Sequence, residues 1–175
     1  YNCEINFKLI SDILNTRERI QINLNDCIDE IVQSISSLLV IFDISKISAE
    51  NLITELKKIE DKEIDLFESN KTWQIPVCYD LKYAVDLEKL AKEIKLSPAE
   101  IINNHKSKVY NVLSMGFLPG FMYMGFTNKN LHCERKEIPS LDIKKGSIGV
   151  ALNLTCIYPQ DSPGGWHIIG VSPLD

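Results

Sequence analysis

The chain has 175 residues, a formal net charge of -5, 45% hydrophobic residues and 25% charged residues. This is the composition of an ordinary soluble globular protein, with room for one large domain or two small ones. No face is strongly basic, which argues against nucleic acid as a main partner. No apolar run is long enough to cross a bilayer or to act as a leader, so we expect no membrane association.

The first part of the chain is rich in charge and in helix formers. The apolar spacing predicts an amphipathic helix over Ile5–Ile20, and Ser37–Ile44 has the composition of a buried strand. Cys27–Ile35 is ambiguous between strand and helix, and Ser48 is placed to cap a further helix. Alternating segments of this kind predict a small α/β sandwich over residues 1–70, followed by a charged linker over residues 60–71.

The second part, residues 73–175, begins with a predicted strand at Trp73–Tyr79. Asp86 is placed to cap the next helix, whose charged residues indicate an exposed face. Ser97 and Glu100 form a capping-box pattern with proline at the first helical position, and this helix carries His105. From Val109 onward, short β-like runs between turn residues predict a barrel or a sandwich.

Two stretches, Val109–Gly125 and Ser162–Gly170, combine most of the eight glycines with large aromatic residues. This mixture is typical of a shaped, partly apolar wall with accessible backbone N–H groups, and equally of tight turns in a β-rich core. Arg135 and Lys136 lie between the two stretches. An arginine there could clamp a carboxylate or a phosphate, or it could be a solvated loop charge.

His105 precedes the first of these stretches and is a candidate acid, base or hydrogen-bond donor. The alternative is a helix-end histidine that the helix dipole favours. The three histidines lack metal-ligand spacing, so no metal site is expected. The five cysteines are scattered without a CxxC pair, which favours reduced thiols and a cytoplasmic protein over a zinc site or a disulfide framework.

Two long motifs carry a resemblance to a known family. HKSKVYNVLSMGFLPGFMYMG and GSIGVALNLTCIYPQDSPGGWHIIG resemble, in order, the signatures of allophanate hydrolase subunit 1, which is also known as the B subunit of 5-oxoprolinase. The family includes the sporulation-kinase inhibitor. The resemblance implies an α+β protein with an N-terminal α/β domain and a C-terminal cyclophilin-like β-barrel. It also implies that the chain lacks the family's first and last strands.

The resemblance implies a site as well. His105 is the candidate catalytic residue, and Ser140 and Val171 stand where family members carry arginine. The pocket residues that match the family's motifs are Tyr110, Phe117, Pro119, Gly120, Phe121, Tyr123, Arg135, Ser147, Tyr158, Ser162, Pro163, Gly164, Gly165 and Trp166.

Three functions follow from the resemblance. The first is the small subunit of an ATP-dependent 5-oxoprolinase or related amide hydrolase, acting with a homologous partner, subunit 2 of the same family, and with a third lactam-utilisation subunit. In that case the assembled complex uses ATP as its cofactor. The alternatives are a binding module that inhibits a sensor histidine kinase, and a non-catalytic structural partner of subunit 2.

Overall fold

The computed structural model describes residues 5–59 and 71–173. The chain divides into two compact units between Thr72 and Trp73. Helices and strands both contribute, in an α+β arrangement. That each unit folds as a domain of its own stays a prediction. The predicted linker lies, except for its last residue, outside the described residues.

The described residues of the first unit form two helices and a two-stranded antiparallel sheet. Its elements in chain order are α1 (Phe7–Leu24), β1 (Ile28–Gln33), β2 (Leu38–Phe42) and α2 (Ala49–Lys58). Both helices begin at a side-chain cap: Asn6 accepts the N–H of Leu9, and Ser48 accepts the N–H of Asn51. The predicted cap at Ser48 is therefore confirmed, and the ambiguous segment before β2 is a strand.

Ser37–Ile44 contains the predicted strand, but the prediction that this strand is buried is wrong. Leu39 and Ile41 in β2 are 59% and 42% exposed, while their neighbours along the strand are partly buried. A two-stranded sheet that is covered on one face alternates in this way, because successive side chains point to opposite faces.

The second unit contains two helices, a five-stranded sheet and a smaller two-stranded sheet. The elements are α3 (Leu87–Ile94), α4 (Pro98–Lys106), β3 (Asn111–Met115), β4 (Met122–Gly125), β5 (Ser140–Ile143), β6 (Ser147–Ala151), β7 (Leu154–Ile157), β8 (Ser162–Gly164) and β9 (His167–Val171). The larger sheet has the order β3–β4–β7–β6–β9 with antiparallel neighbours, and β5 pairs with β8. The capping box at Ser97 and Glu100 is present as predicted.

The cyclophilin-like β-barrel that the resemblance implies is not closed in the described residues, because the five-stranded sheet is open, with β3 and β9 at its two ends. The strand predicted at Trp73–Tyr79 is also absent from this described segment. Only Cys78 pairs there, through two hydrogen bonds of 2.8 and 2.9 Å between its backbone and that of Val171. Pro76 has no N–H to offer a neighbouring strand, which limits pairing of this segment.

The five-stranded sheet is covered on both faces. All five residues of β6 are buried. Ile148 and Val150 pack with core residues of α3 and α4, so we call that side the helix face. Gly149 points the opposite way, where a Cβ would lie 3.2 Å from Cβ of Trp166 and 3.2 Å from Cε2 of Tyr158. We call this second side the aromatic face.

Candidate functional site

An aromatic cluster of five residues, Phe117, Phe121, Tyr123, Tyr158 and Trp166, lies on the aromatic face. Phe121 is at its centre and is 1% exposed. Its ring centroid lies 5.0 Å from that of Tyr123, 5.2 Å from that of Tyr158 and 6.1 Å from that of Trp166, all in edge-to-face contacts. Such geometry is favourable for aromatic rings, so the cluster is a rigid wall.

The loop between β3 and β4 presents Phe117 at the edge of this cluster. The N–H of Gly116 donates to the carbonyl of Phe121, and the N–H of Phe121 donates to the carbonyl of Leu118. Phe117 has φ +70 although it carries a bulky side chain, and its ring is 59% exposed. Backbone strain of this kind costs about 1–3 kcal/mol, and it clusters at functional sites. The strained backbone and the exposure of Phe117 together support a binding role for the wall.

Tyr158 is fixed in the cluster from several sides. Its N–H donates to the carbonyl of Ser147, and its ring meets that of Phe121 edge to face. A Cβ at Gly164 would overlap the Tyr158 hydroxyl, so this position requires glycine. Burial raises the pKa of Tyr158, which keeps the phenol neutral.

The remaining loop residues of the predicted pocket differ in accessibility. Pro119, Gly120 and Pro163 are exposed. Gly120 has φ +80, which favours glycine. The side chain of Ser162 is buried, and its Oγ has no hydrogen-bond partner in the part of the chain that the structure describes.

Arg135 borders this wall. Its Cβ lies 3.9 Å from the position of a Cβ on Gly165, and its charge acts on the phenols of Tyr123 and Tyr158. Burial raises the pKa of Tyr123, and the positive charge of Arg135 opposes that shift. Arg135 is exposed and forms no ion pair with any carboxylate of the described residues. An exposed guanidinium beside aromatic rings suits a ligand that combines an anionic group with an apolar ring.

His105 lies on the helix face, not on the aromatic face. Its Nε2 is 3.0 Å from Oγ1 of Thr155, which pairs with Val150 across the strands, and its Nδ1 is 2.8 Å from the Tyr79 hydroxyl. Since the Thr155 hydroxyl donates to the carbonyl of Gly149, His105 must donate from Nε2 and accept at Nδ1. Burial lowers the pKa of His105 to about 4, so the ring is neutral at neutral pH.

Tyr110 belongs to the same buried network. Its ring stacks on His105 at 5.3 Å, and its hydroxyl donates to the His105 carbonyl at 2.8 Å. The structure therefore separates the predicted site into two groups. Most of the predicted pocket residues lie at or next to the aromatic face, whereas His105 and the predicted pocket residue Tyr110 lie on the helix face. The catalytic role of His105 stays a prediction.

Three polar residues next to Arg135 were missed or misjudged from the sequence. Asp86, predicted to lie on an exposed helix face, and Lys136 form a buried ion pair of 2.8 Å between Nζ and Oδ2. Asp86 occupies the predicted N-cap position of α3, yet its side chain makes no cap hydrogen bond. His167 is 1% exposed and its Nε2 donates to the carbonyl of Glu134. No local pattern marks these contacts, because the partners are 33 to 50 residues apart.

Two features of residues 5–59 and 71–173 bear on the chemistry. No group of three or more His, Cys, Asp or Glu side chains is arranged to hold a metal ion. None of the helices in the same ranges combines the length and the apolar character needed to cross a membrane.

Comparison with known proteins identifies the family. A family described as carboxyltransferase domain, subdomain C and D, matches residues 1–175. The B subunit of 5-oxoprolinase from Bacillus subtilis is 38% identical over 133 residues, which are 76% of this chain and 53% of that protein. The chain thus spans about half the length of this curated relative.

Solved structures agree with this match. A conserved uncharacterized protein, PH0987 from Pyrococcus horikoshii, is 36% identical with a TM-score of 0.57, over 99% of this chain and 80% of that one. The Kluyveromyces lactis urea carboxylase is 17% identical with a TM-score of 0.73, over 98% of this chain and 19% of that one, and supports the fold alone. The motifs, the fold and these matches together show that the chain belongs to the family of allophanate hydrolase subunit 1 and the 5-oxoprolinase B subunits.

Proposed function

We propose that this chain is part of the small subunit of an ATP-dependent 5-oxoprolinase and that its aromatic face contributes to binding the substrate. Relatives named as the B subunit of 5-oxoprolinase support the activity. The observation that carries the substrate-binding role is the exposed guanidinium of Arg135 beside the aromatic cluster. 5-Oxoproline is a five-membered cyclic amide with one carboxylate, so it offers both an anion and a flat ring.

In this proposal the guanidinium of Arg135 binds the carboxylate of 5-oxoproline through two parallel hydrogen bonds. The lactam ring then lies against the exposed edge of the cluster, where Phe117 and Tyr123 supply apolar surface. Arginine suits this role because its planar fork matches the geometry of a carboxylate. The aromatic wall excludes water and strengthens the charged contact.

The proposal assigns ATP hydrolysis to the assembled complex. This chain has no Walker A loop in its sequence. Its Gly164–Gly165 pair is short compared with such a phosphate-binding loop. The partners are the homologous subunit 2 and a third lactam-utilisation subunit, in the cytoplasm. In this proposal His105 supports the sheet from the helix face, in place of the catalytic role that was predicted for it from the sequence.

The test is ATP-dependent formation of glutamate from 5-oxoproline by the assembled subunits. Leaving this chain out should abolish the activity. Arg135→Gln should raise the KM for 5-oxoproline about 10- to 100-fold, because a hydrogen bond to a charged group contributes about 1.5–3 kcal/mol. Arg17→Gln in the first unit is the matched control, and its KM should stay within about twofold of wild type.

Two results would contradict the proposal. One is full activity without this chain, which would show that it plays no part in the reaction. The other is an unchanged KM for Arg135→Gln, which would remove Arg135 from the substrate site while leaving the family assignment intact.

A further inference from the structure

The segment Glu134–Lys136 is held on both sides of Arg135. On one side, Nε2 of His167 donates to the carbonyl of Glu134 at 3.0 Å. On the other, the N–H of Lys136 donates to the carbonyl of Gly165 at 2.7 Å. The segment belongs to no helix or strand. Its position therefore depends on these individual contacts and not on a ladder of sheet hydrogen bonds.

A third contact of this segment is the buried ion pair between Lys136 and Asp86. The two side chains are only 5% and 15% exposed. Nζ of Lys136 also lies 2.7 Å from Oγ of Ser140. The same Asp86 oxygen accepts the N–H of Ile168 at 2.8 Å, and the N–H of Asp86 donates to the carbonyl of Ile168 at 3.0 Å. Asp86 thus ties the Lys136 side chain to β9 and to the start of α3.

We infer that the Asp86–Lys136 ion pair is a positioning device for Arg135, and that it aims the guanidinium at the carboxylate of the substrate. This inference rests on the proposed function of Arg135. A buried ion pair is a poor source of stability, because its desolvation cost offsets most of the attraction between the charges. A pair with fixed hydrogen-bond directions does, however, set the position of the backbone that carries it.

The inference makes Lys136 act through its neighbour. Without the ammonium group, the segment keeps its two backbone anchors but loses the side-chain anchor next to Arg135. The guanidinium then samples several positions, and substrate binding must restore the productive one. This costs affinity, whereas the rate of the chemical step in the bound state changes little.

The experiment is a double-mutant cycle in the assembled enzyme, with 5-oxoproline as the probe. Lys136→Met alone should raise KM about tenfold and change kcat by less than about twofold. In the Arg135→Gln background, the same substitution should raise KM by a further factor of less than about two, because no guanidinium remains to be positioned. Lys144→Met removes an exposed lysine that pairs with Asp142 and Asp161, and as the matched control should leave KM unchanged.

A second variant separates positioning from stability. Asp86→Asn with Lys136→Met removes both charges, so no unpaired charge stays buried, and asparagine still offers an oxygen to the N–H of Ile168. The structure predicts that this protein folds and keeps a raised KM. If KM and the free energy of unfolding both return to their wild-type values, the inference is overturned, because the pair would then serve the fold alone.

The cycle also separates this inference from the proposed function. If Arg135→Gln raises KM but Lys136→Met does not, the positioning role is refuted and the substrate site stands. An equal effect of Lys136→Met in the wild-type and Arg135→Gln backgrounds refutes it as well. If Arg135→Gln leaves KM unchanged, the proposed substrate site itself fails.

Discussion

His105 should make the stability of this protein depend on pH through its burial. Folding places the ring between Tyr79 and Thr155 with both nitrogens hydrogen-bonded and with 8% of the residue exposed. Burial lowers its pKa from 6.5 to about 4. The unfolded chain therefore binds a proton at a higher pH than the folded protein does. This contribution to stability is fully present above pH 6.5 and is lost as the pH falls from 6.5 towards 4.

The size of the effect follows from the two pKa values. Lowering the pH from about 7.5 to about 5 should remove about 2 kcal/mol from the free energy of unfolding through this one residue. His105→Gln keeps one donor and one acceptor in the same place but does not titrate. Because the other acidic and basic groups remain, the difference between wild type and variant isolates the contribution of His105.

Urea unfolding followed by circular dichroism measures these free energies at each pH. We expect the free energy of unfolding of wild type to fall by about 2 kcal/mol relative to that of His105→Gln between about pH 7.5 and about pH 5. His132→Gln, a change of an exposed histidine, is the control. Parallel curves for wild type and His105→Gln would refute the reasoning, since they would mean that His105 titrates alike in the folded and unfolded chains.

Two further predictions concern packing on the aromatic face. Gly164→Ala should destabilise the protein by about 1–3 kcal/mol, because the added methyl group meets the Tyr158 hydroxyl. Gly165→Ala is its control: the nearest atom is 3.8 Å away, and a loss of more than about 0.5 kcal/mol there would contradict the packing argument. Trp166→Ala should cost about 3–5 kcal/mol, since the residue is 4% exposed. Leu141→Ala, at an 87% exposed position, should cost less than about 0.5 kcal/mol in the same urea titration, and equal losses for these two variants would contradict the assignment of Trp166 to the core.

The local features of this fold could be predicted from the sequence. The capping box at Ser97 and the cap at Ser48 involve residues three apart, so their chemistry is visible in a short window. Short strands between glycine and proline turns were equally visible, and β3, β6, β7 and β9 lie where the pattern places them. Local propensity and turn chemistry determine these elements, with little contribution from long-range packing.

Sheet closure and burial could not be predicted in the same way. Whether β3 pairs with β9 depends on strand order, which short-range patterns do not encode, and the barrel prediction was wrong for that reason. The predicted burial of β2 was wrong for a similar reason, because an apolar run does not show how many faces of a sheet are covered. The prediction of an exposed Asp86 was wrong because its partner Lys136 lies 50 residues away in the sequence.

The residues of the family signature lie on two different faces of the sheet. They are close together in the sequence, and for that reason they suggested a single site. His105 and Tyr110 come first and lie on the helix face, where they form a neutral hydrogen-bonded network. Phe117 and Phe121 follow after β3 and lie with the cluster on the aromatic face. The helix-face residues support β7 at Thr155, and the next residue in that strand, Cys156, lies against Gly149 on the aromatic face. His105 therefore contacts β7 from the helix face. The proposed function leads us to expect that substitutions which change substrate affinity without changing stability lie around Arg135.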